Sequence, residues 1–326
     1  MMRTAMRGAT AGLALMGFAA SASAQEAPLQ VVATTGMIAD AARALGGARA
    51  EVRALMGPGV DPHGYRATRS DVTALARADL VLWHGLNLEA QMRGLLEELG
   101  ETGASFPVAE ALPKDRLRAH EEAGGSAAYD PHVWMDAGLW AGILPGIRDQ
   151  MCALRPADCS VFAVNAEAYA AQLAALDARA REAVASVPPE RRVLVTAHDA
   201  FGYFGAAYGF EVEGVQGIST ESEAGLKRVG DLVELLVSKG IGAVFVESSV
   251  SDRNLRALIE GAAARGHRVA VGGELFSDAM GEAGTYEGTY PGMIDHNLAT
   301  VVQALGGEAQ AQIAAQEAAR AGKGAP

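Results

Sequence analysis

The chain has 326 residues, half of them hydrophobic and a fifth charged, with a formal net charge of −12 at neutral pH. That acidity argues against nucleic acid as a partner and mildly favours cations near the surface. Beyond the N-terminus no stretch approaches the ~20 consecutive apolar residues that a membrane-spanning helix needs.

Arg3 and Arg7 open the chain with a short basic region, residues 9–20 form an apolar run, and Ala22-Ser23-Ala24 is a small-residue cleavage site. This is the build of a secretory signal peptide, and it predicts a soluble periplasmic chain starting near Gln25. No Cys follows the cleavage site, so an N-terminal lipid anchor is not expected. Residues 29–34, 51–56 and 79–83 then read as short apolar strands, with helices at 38–45, 70–77 and 88–99. A further apolar segment covers 106–111, and residues 121–128 read as a surface loop.

The alternation stops in the middle of the chain. Between 157 and 187 there is no strand signal, and Phe162, Tyr169, Leu173, Leu176 and Ala180 recur at a helical period. Pro156 precedes this stretch and Pro188-Pro189 ends it. One rigid helix of roughly 30 residues would be about 45 Å long; two shorter helices with a break are the alternative.

Strands resume at 192–196, 211–215, 241–247 and 267–271, with helices at 221–238 and 254–264. Strands alternating with helices predict an α/β fold: two lobes, each a mainly parallel sheet flanked by helices, bridged by the long helix. The expected organisation is a signal peptide at 1–24, an N-terminal lobe at 25–156, a linking helix at 157–188 and a C-terminal lobe at 189–326. Each lobe is long enough for a core of its own. Residues 272–289 carry five glycines and read as an ordered loop, and the tail after Gly307 as a fraying end. Cys152 and Cys159 fit either a local disulfide of an exported protein or two buried thiols.

Three of the seven histidines share a location in the predicted topology. His63 lies in Asp61-Pro62-His63, after the second strand. His132 lies in Asp130-Pro131-His132, after the 106–111 segment, and His198 directly follows the strand at 192–196. In open α/β sheets ligands bind beyond the carboxyl ends of strands. Asp278 follows the strand expected to end near Val271. Two donors come from each lobe, and three imidazoles with one carboxylate suffice to hold a first-row dication closed off from water. Proline before His63 and His132 limits the backbone freedom of each. Asp61, Asp130, Asp136 and Asp199 are candidates to orient the rings. Glu247, at another strand end, fits either a ring-orienting carboxylate or a helix cap. His84, after Trp83 at a strand end, reads as core or surface rather than cleft-facing, His267 and His296 as structural or solvated, and His120 with Glu121-Glu122 as a solvated loop rather than one that recruits metal.

With these motifs in hand, the chain resembles the metal-receptor substrate-binding proteins of ABC importers, the cluster that includes TroA, PsaA and ZnuA, and the TroA-like members most. The likeness is carried by residues 56–69, 129–140, 193–208, 246–249 and 272–292. It implies two α/β lobes bridged by one long helix, and one transported zinc or manganese ion held by His63, His132, His198 and Asp278. It also implies delivery by a monomer to a membrane permease with its ATPase subunit, and no enzymatic activity. Manganese-dedicated PsaA members usually have Glu where His198 stands, which favours zinc. The long His-rich acidic loop of ZnuA members is reduced here to a short run from His120 to Gly125. The competing readings are a periplasmic zinc hydrolase and a same-fold binder of an organic metal chelate.

Overall fold

The computed structural model describes residues 27–101, 103, 105–121 and 127–307. The expected signal peptide at 1–24 and the tail after Gly307 lie outside them. The first lobe is built on β1 (Leu29–Ala33), β2 (Ala50–Ala54), β3 (Leu80–Trp83) and β4 (Ser105–Pro107), all parallel, in the order β2-β1-β3-β4. The central strands β1 and β3 read LQVVA and LVLW and are buried at all but one residue. Such continuous apolar runs are what a strand covered on both faces requires. The crossovers are α1 (Gly36–Gly46), α2 (Arg69–Arg77) and α3 (Arg93–Glu101). Thr68 and Asp71 cap each other's backbone N–H at the start of α2, which fixes where the loop carrying His63 ends.

An antiparallel hairpin of β5 (Ala119–Glu121) and β6 (Ala127–Tyr129) follows, then α4 (Ala137–Trp140) and α5 (Leu144–Leu154). The helix α6 (Cys159–Ala185) runs unbroken for 27 residues, about 40 Å at ~1.5 Å per residue. The second lobe has β7 (Val193–Thr196), α7 (Gly202–Tyr208), β8 (Glu211–Gly214), α8 (Leu226–Ser238), β9 (Ala243–Glu247), α9 (Arg253–Ala264), β10 (Ala270–Leu275) and α10 (Tyr290–Ala304). Its sheet is parallel, in the order β10-β9-β7-β8. Among the described residues no helix is long and apolar enough to cross a membrane.

Several sequence expectations need correction. Of the surface loop expected at 121–128, residues 122–126 lie outside the described residues, while 121, 127 and 128 belong to the antiparallel pair of β5 and β6. His132 therefore follows β6 of this two-stranded sheet rather than a strand of the first lobe's main sheet. The last strand runs to Leu275, not Val271, because a bulge takes up Gly272, and Gly273 resumes pairing opposite Phe245. The lobes also do not have one core each. A single apolar cluster runs from Val31, Leu82 and Ile38 through Phe162, Leu173 and Leu176 of α6 to Phe245, Met293 and Leu298. Smaller clusters lie outside it in each lobe, around Leu96 in the first and Leu258 in the second.

Cys152 near the end of α5 and Cys159 at the start of α6 are joined in a disulfide, which staples the turn that launches the linking helix. Closing so short a loop stabilises by about 2 kcal/mol. The Cys152→Ser/Cys159→Ser variant is expected to melt a few degrees lower by calorimetry; an unchanged melting temperature would show that α5 and α6 hold the turn without the bond.

Candidate metal centre

In each sheet the strand order reverses between two central strands, β1 and β3 in the first lobe and β7 and β9 in the second. Crevices at such reversals are where open α/β sheets take ligands. His198 stands two residues past β7 and Glu247 ends the adjacent β9, so the topology itself places this pair side by side. Gly214, at the end of β8, lets the neighbouring backbone pass close: a Cβ there would come within 2.4 Å of the Asp199 nitrogen.

The four residues singled out from sequence converge. One donor atom from each of His63, His132, His198 and Asp278 lies within 4.8 Å of all the others, and all four residues are buried. The His63 and His132 Nε2 atoms are 3.3 Å apart, as are those of His132 and His198. Asp278 oxygens lie 3.4 Å from His132 Nε2, 3.2 Å from His198 Nε2 and 3.9 Å from His63 Nε2. A tetrahedral ion with bonds of ~2.0–2.1 Å separates its ligand atoms by about 3.3 Å. No hydrogen bond of regular geometry reaches either oxygen of Asp278, a costly arrangement for a buried carboxylate unless a cation completes it.

Carboxylates orient two of the rings. Asp130 Oδ1 is 2.7 Å from His132 Nδ1 and also accepts its backbone N–H at 3.0 Å. Glu247 Oε2 is 2.5 Å from His198 Nδ1, while Oε1 accepts the His198 N–H at 2.8 Å. With both Nδ1 protons taken, Nε2 is the free donor on each ring. Asp61 accepts the His63 backbone N–H at 2.8 Å. Asp136 is not part of this set and caps α4.

Sequence reading passed over three braces that cross between the lobes. Trp134 Nε1 donates to the Ser277 carbonyl at 2.8 Å, beside Asp278. Tyr203 donates its hydroxyl to the Asp130 carbonyl at 2.9 Å, and Thr220 donates to Asp61 Oδ2 at 2.5 Å. Trp134 and Tyr203 lie inside the motif stretches already noted, but no periodicity marks a tertiary hydrogen bond.

The remaining histidines stand apart. His84 is buried against Trp134 and Trp140, with ring centroids 4.9 and 6.0 Å away; burial drives it down to about 3. His267 and His296 bond to the carbonyls of Ile241 and Glu274. A cleft of about 520 Å³ leads to the site between His63, Asn87, His120, Tyr129, Asp199 and Ile218. A smaller cavity of about 110 Å³, lined by Gly36, Met56 and Met280 among others, touches Asp278.

Residues 31–304 match the family described as zinc-uptake complex component A, periplasmic (ZnuA). The chain belongs to this family. Its members are metal-binding receptors of ABC importers rather than enzymes. The manganese-binding lipoprotein MntA of Bacillus subtilis (strain 168) is 48% identical over 297 residues, 91% of this chain and 96% of that protein. The zinc-binding protein TroA of Treponema pallidum (strain Nichols) is 47% identical over 284 residues, 87% of this chain and 91% of that protein. The solved structure of the periplasmic zinc-binding protein TroA from Treponema pallidum superposes with a TM-score of 0.82 at 46% identity, covering 86% of this chain and 99% of that one.

Protonation of this ZnuA-family cluster is shared between its members. Burial disfavours the imidazolium of His132, but Asp130 and Asp278 outweigh it and push it up to about 9. Burial likewise opposes His198, which Glu247 and Asp278 raise well above its ordinary value. His63 is driven down to about 3, chiefly by burial. Burial raises the Asp278 carboxyl, yet His198 and His132 hold it well below the usual carboxylate range. An entering cation must therefore displace a proton from His132 at any pH below about 9. Apparent affinity is expected to fall about tenfold per pH unit per displaced proton as pH drops from 8 to 6. Titration calorimetry in buffers of different ionisation enthalpy counts those protons, and an affinity flat across this range would contradict the coupling. Glu247→Gln, which loses the charge behind His198, is expected to weaken binding by roughly 10–100-fold in the same assay.

Proposed function

We propose that this chain captures one divalent transition-metal ion, zinc in preference to manganese, on His63, His132, His198 and Asp278, and delivers it in the periplasm to the permease of an ABC importer. The observation that carries this reading is the set of Nε2 and carboxylate contacts at 3.2–3.9 Å around a buried Asp278 that has no regular hydrogen bond. Four of these five contacts, at 3.2–3.4 Å, lie close to the edge length of a tetrahedral zinc site, whereas manganese favours six oxygen-rich ligands in an octahedron. The relatives do not choose the ion, since one is named for manganese and another for zinc at nearly equal identity. Four protein donors fill a tetrahedron, while a zinc hydrolase keeps one position for water; with membership of a receptor family, this leaves the hydrolase reading without support.

Zinc and manganese competing for the ion-free protein, followed by calorimetry and elemental analysis, test the proposal. One zinc per chain is expected, with manganese displaced by equimolar zinc. His132→Ala is expected to lose more than the ~100-fold typical of an outer partner. Manganese retained against zinc would reject the choice of ion, and no bound metal at all would reject the site.

A further inference from the structure

One wall of the candidate site is held differently from the rest. His132, His198 and Asp278 are positioned by Asp130, Glu247 and Trp134 through groups that are themselves buried. His63 instead sits in an irregular loop between β2 and α2, with Gly57, Gly59 at φ +69° and Gly64 around it. It is also the one of the four donors that lines the 520 Å³ cleft.

Asp61 ties this loop down with one oxygen in each direction. Oδ1 accepts the His63 N–H at 2.8 Å, within the first lobe, and Oδ2 accepts the Thr220 hydroxyl at 2.5 Å, from the second lobe. Thr220 lies in the irregular segment between β8 and α8, and its neighbours Ile218, Ser219 and Ser222 line the same cleft. Both Asp61 and Thr220 are half-buried, so the bond sits at the rim. Another contact between the lobes near the cleft, Gln91 to Glu221 at 2.9 Å, joins two exposed side chains and holds less. A hydroxyl on a carboxylate is a charge-assisted bond and among the stronger kinds.

We propose that the Thr220–Asp61 hydrogen bond is the latch on metal exchange. While it is made, the lobes hold His63 against the ion. When the segment carrying Thr220 is drawn aside, Asp61 loses its anchor in the second lobe and the His63 loop swings toward the cleft. A coordination position then opens on the solvent side, and the ion rests on three donors. Thr220 is thus a positioning residue that acts through Asp61 and touches no metal.

This inference rests on the metal-receptor reading, and the test separates the two. Zinc-loaded wild type, Thr220→Val and Thr220→Ser are mixed with excess chelator, and the release rate is followed together with zinc stoichiometry and the melting temperature of the ion-free protein. Thr220→Val keeps the shape and loses the hydroxyl; its release rate is expected to rise roughly tenfold, with the association rate little changed. Thr220→Ser, which restores the donor, is expected to release zinc at close to the wild-type rate. A Thr220→Val variant that binds one zinc and releases it as slowly as wild type overturns the latch alone, as does a Thr220→Ser variant as fast as Thr220→Val. A wild-type chain that holds no zinc overturns the receptor reading and the latch with it.

Discussion

An ionised carboxylate taken out of water costs several kcal/mol unless something of opposite charge meets it. Asp278 is in that position, sealed among the edges of three imidazoles. Once this group is placed, much of the surrounding chain follows from the need to supply it with compensation. Three rings from separate loops must face inward, and each needs its far side held so that its near side stays bare. Asp130 and Glu247 meet that need for two of the rings and bring negative charge of their own. The cluster therefore alternates carboxylates with imidazoles, and its net attraction for a dication exceeds that of the three rings alone.

The braces show how two lobes share one site. Trp134 in the first lobe steadies the backbone beside Asp278 in the second, and Tyr203 in the second steadies the backbone of Asp130 in the first. Tyr290 adds to this by donating its hydroxyl to the Trp134 carbonyl at 2.6 Å. Only His198 is oriented wholly from within its own lobe, by Glu247 on the neighbouring strand. The spacing of the donors is thus a property of how the lobes face each other, so small relative displacements act directly on coordination.

Much of this was legible in the residues. The parallel strands announced themselves as short apolar runs, and the linking helix as a 3.6-residue stripe from Phe162 to Ala180 whose members are all buried. The convergence of His63, His132, His198 and Asp278 followed from placing each at a strand end, although His132 reaches the site from a hairpin the sequence did not reveal. That hairpin escaped because its strands are three residues each and alanine-rich, too short for a period to show. The end of β10 escaped because Gly272-Gly273 carries a turn composition that pairing with β9 overrides. Trp134, Tyr203 and Thr220 were invisible for a different reason: their work is a single hydrogen bond to a chain segment dozens of residues away, and local patterns carry no record of it.

The apolar cluster that threads both lobes and the linking helix has a consequence for how the molecule can come apart. Phe162, Leu173 and Leu176 contribute to the same interior as β1 on one side and α10 on the other. Cutting the polypeptide on either side of the helix would leave a fragment with a large greasy face open to water, so neither half is a ready-made module for transplantation. Damage to packing in one lobe therefore reaches the interior it shares with the other, and the site has no half that is packed independently of that shared interior.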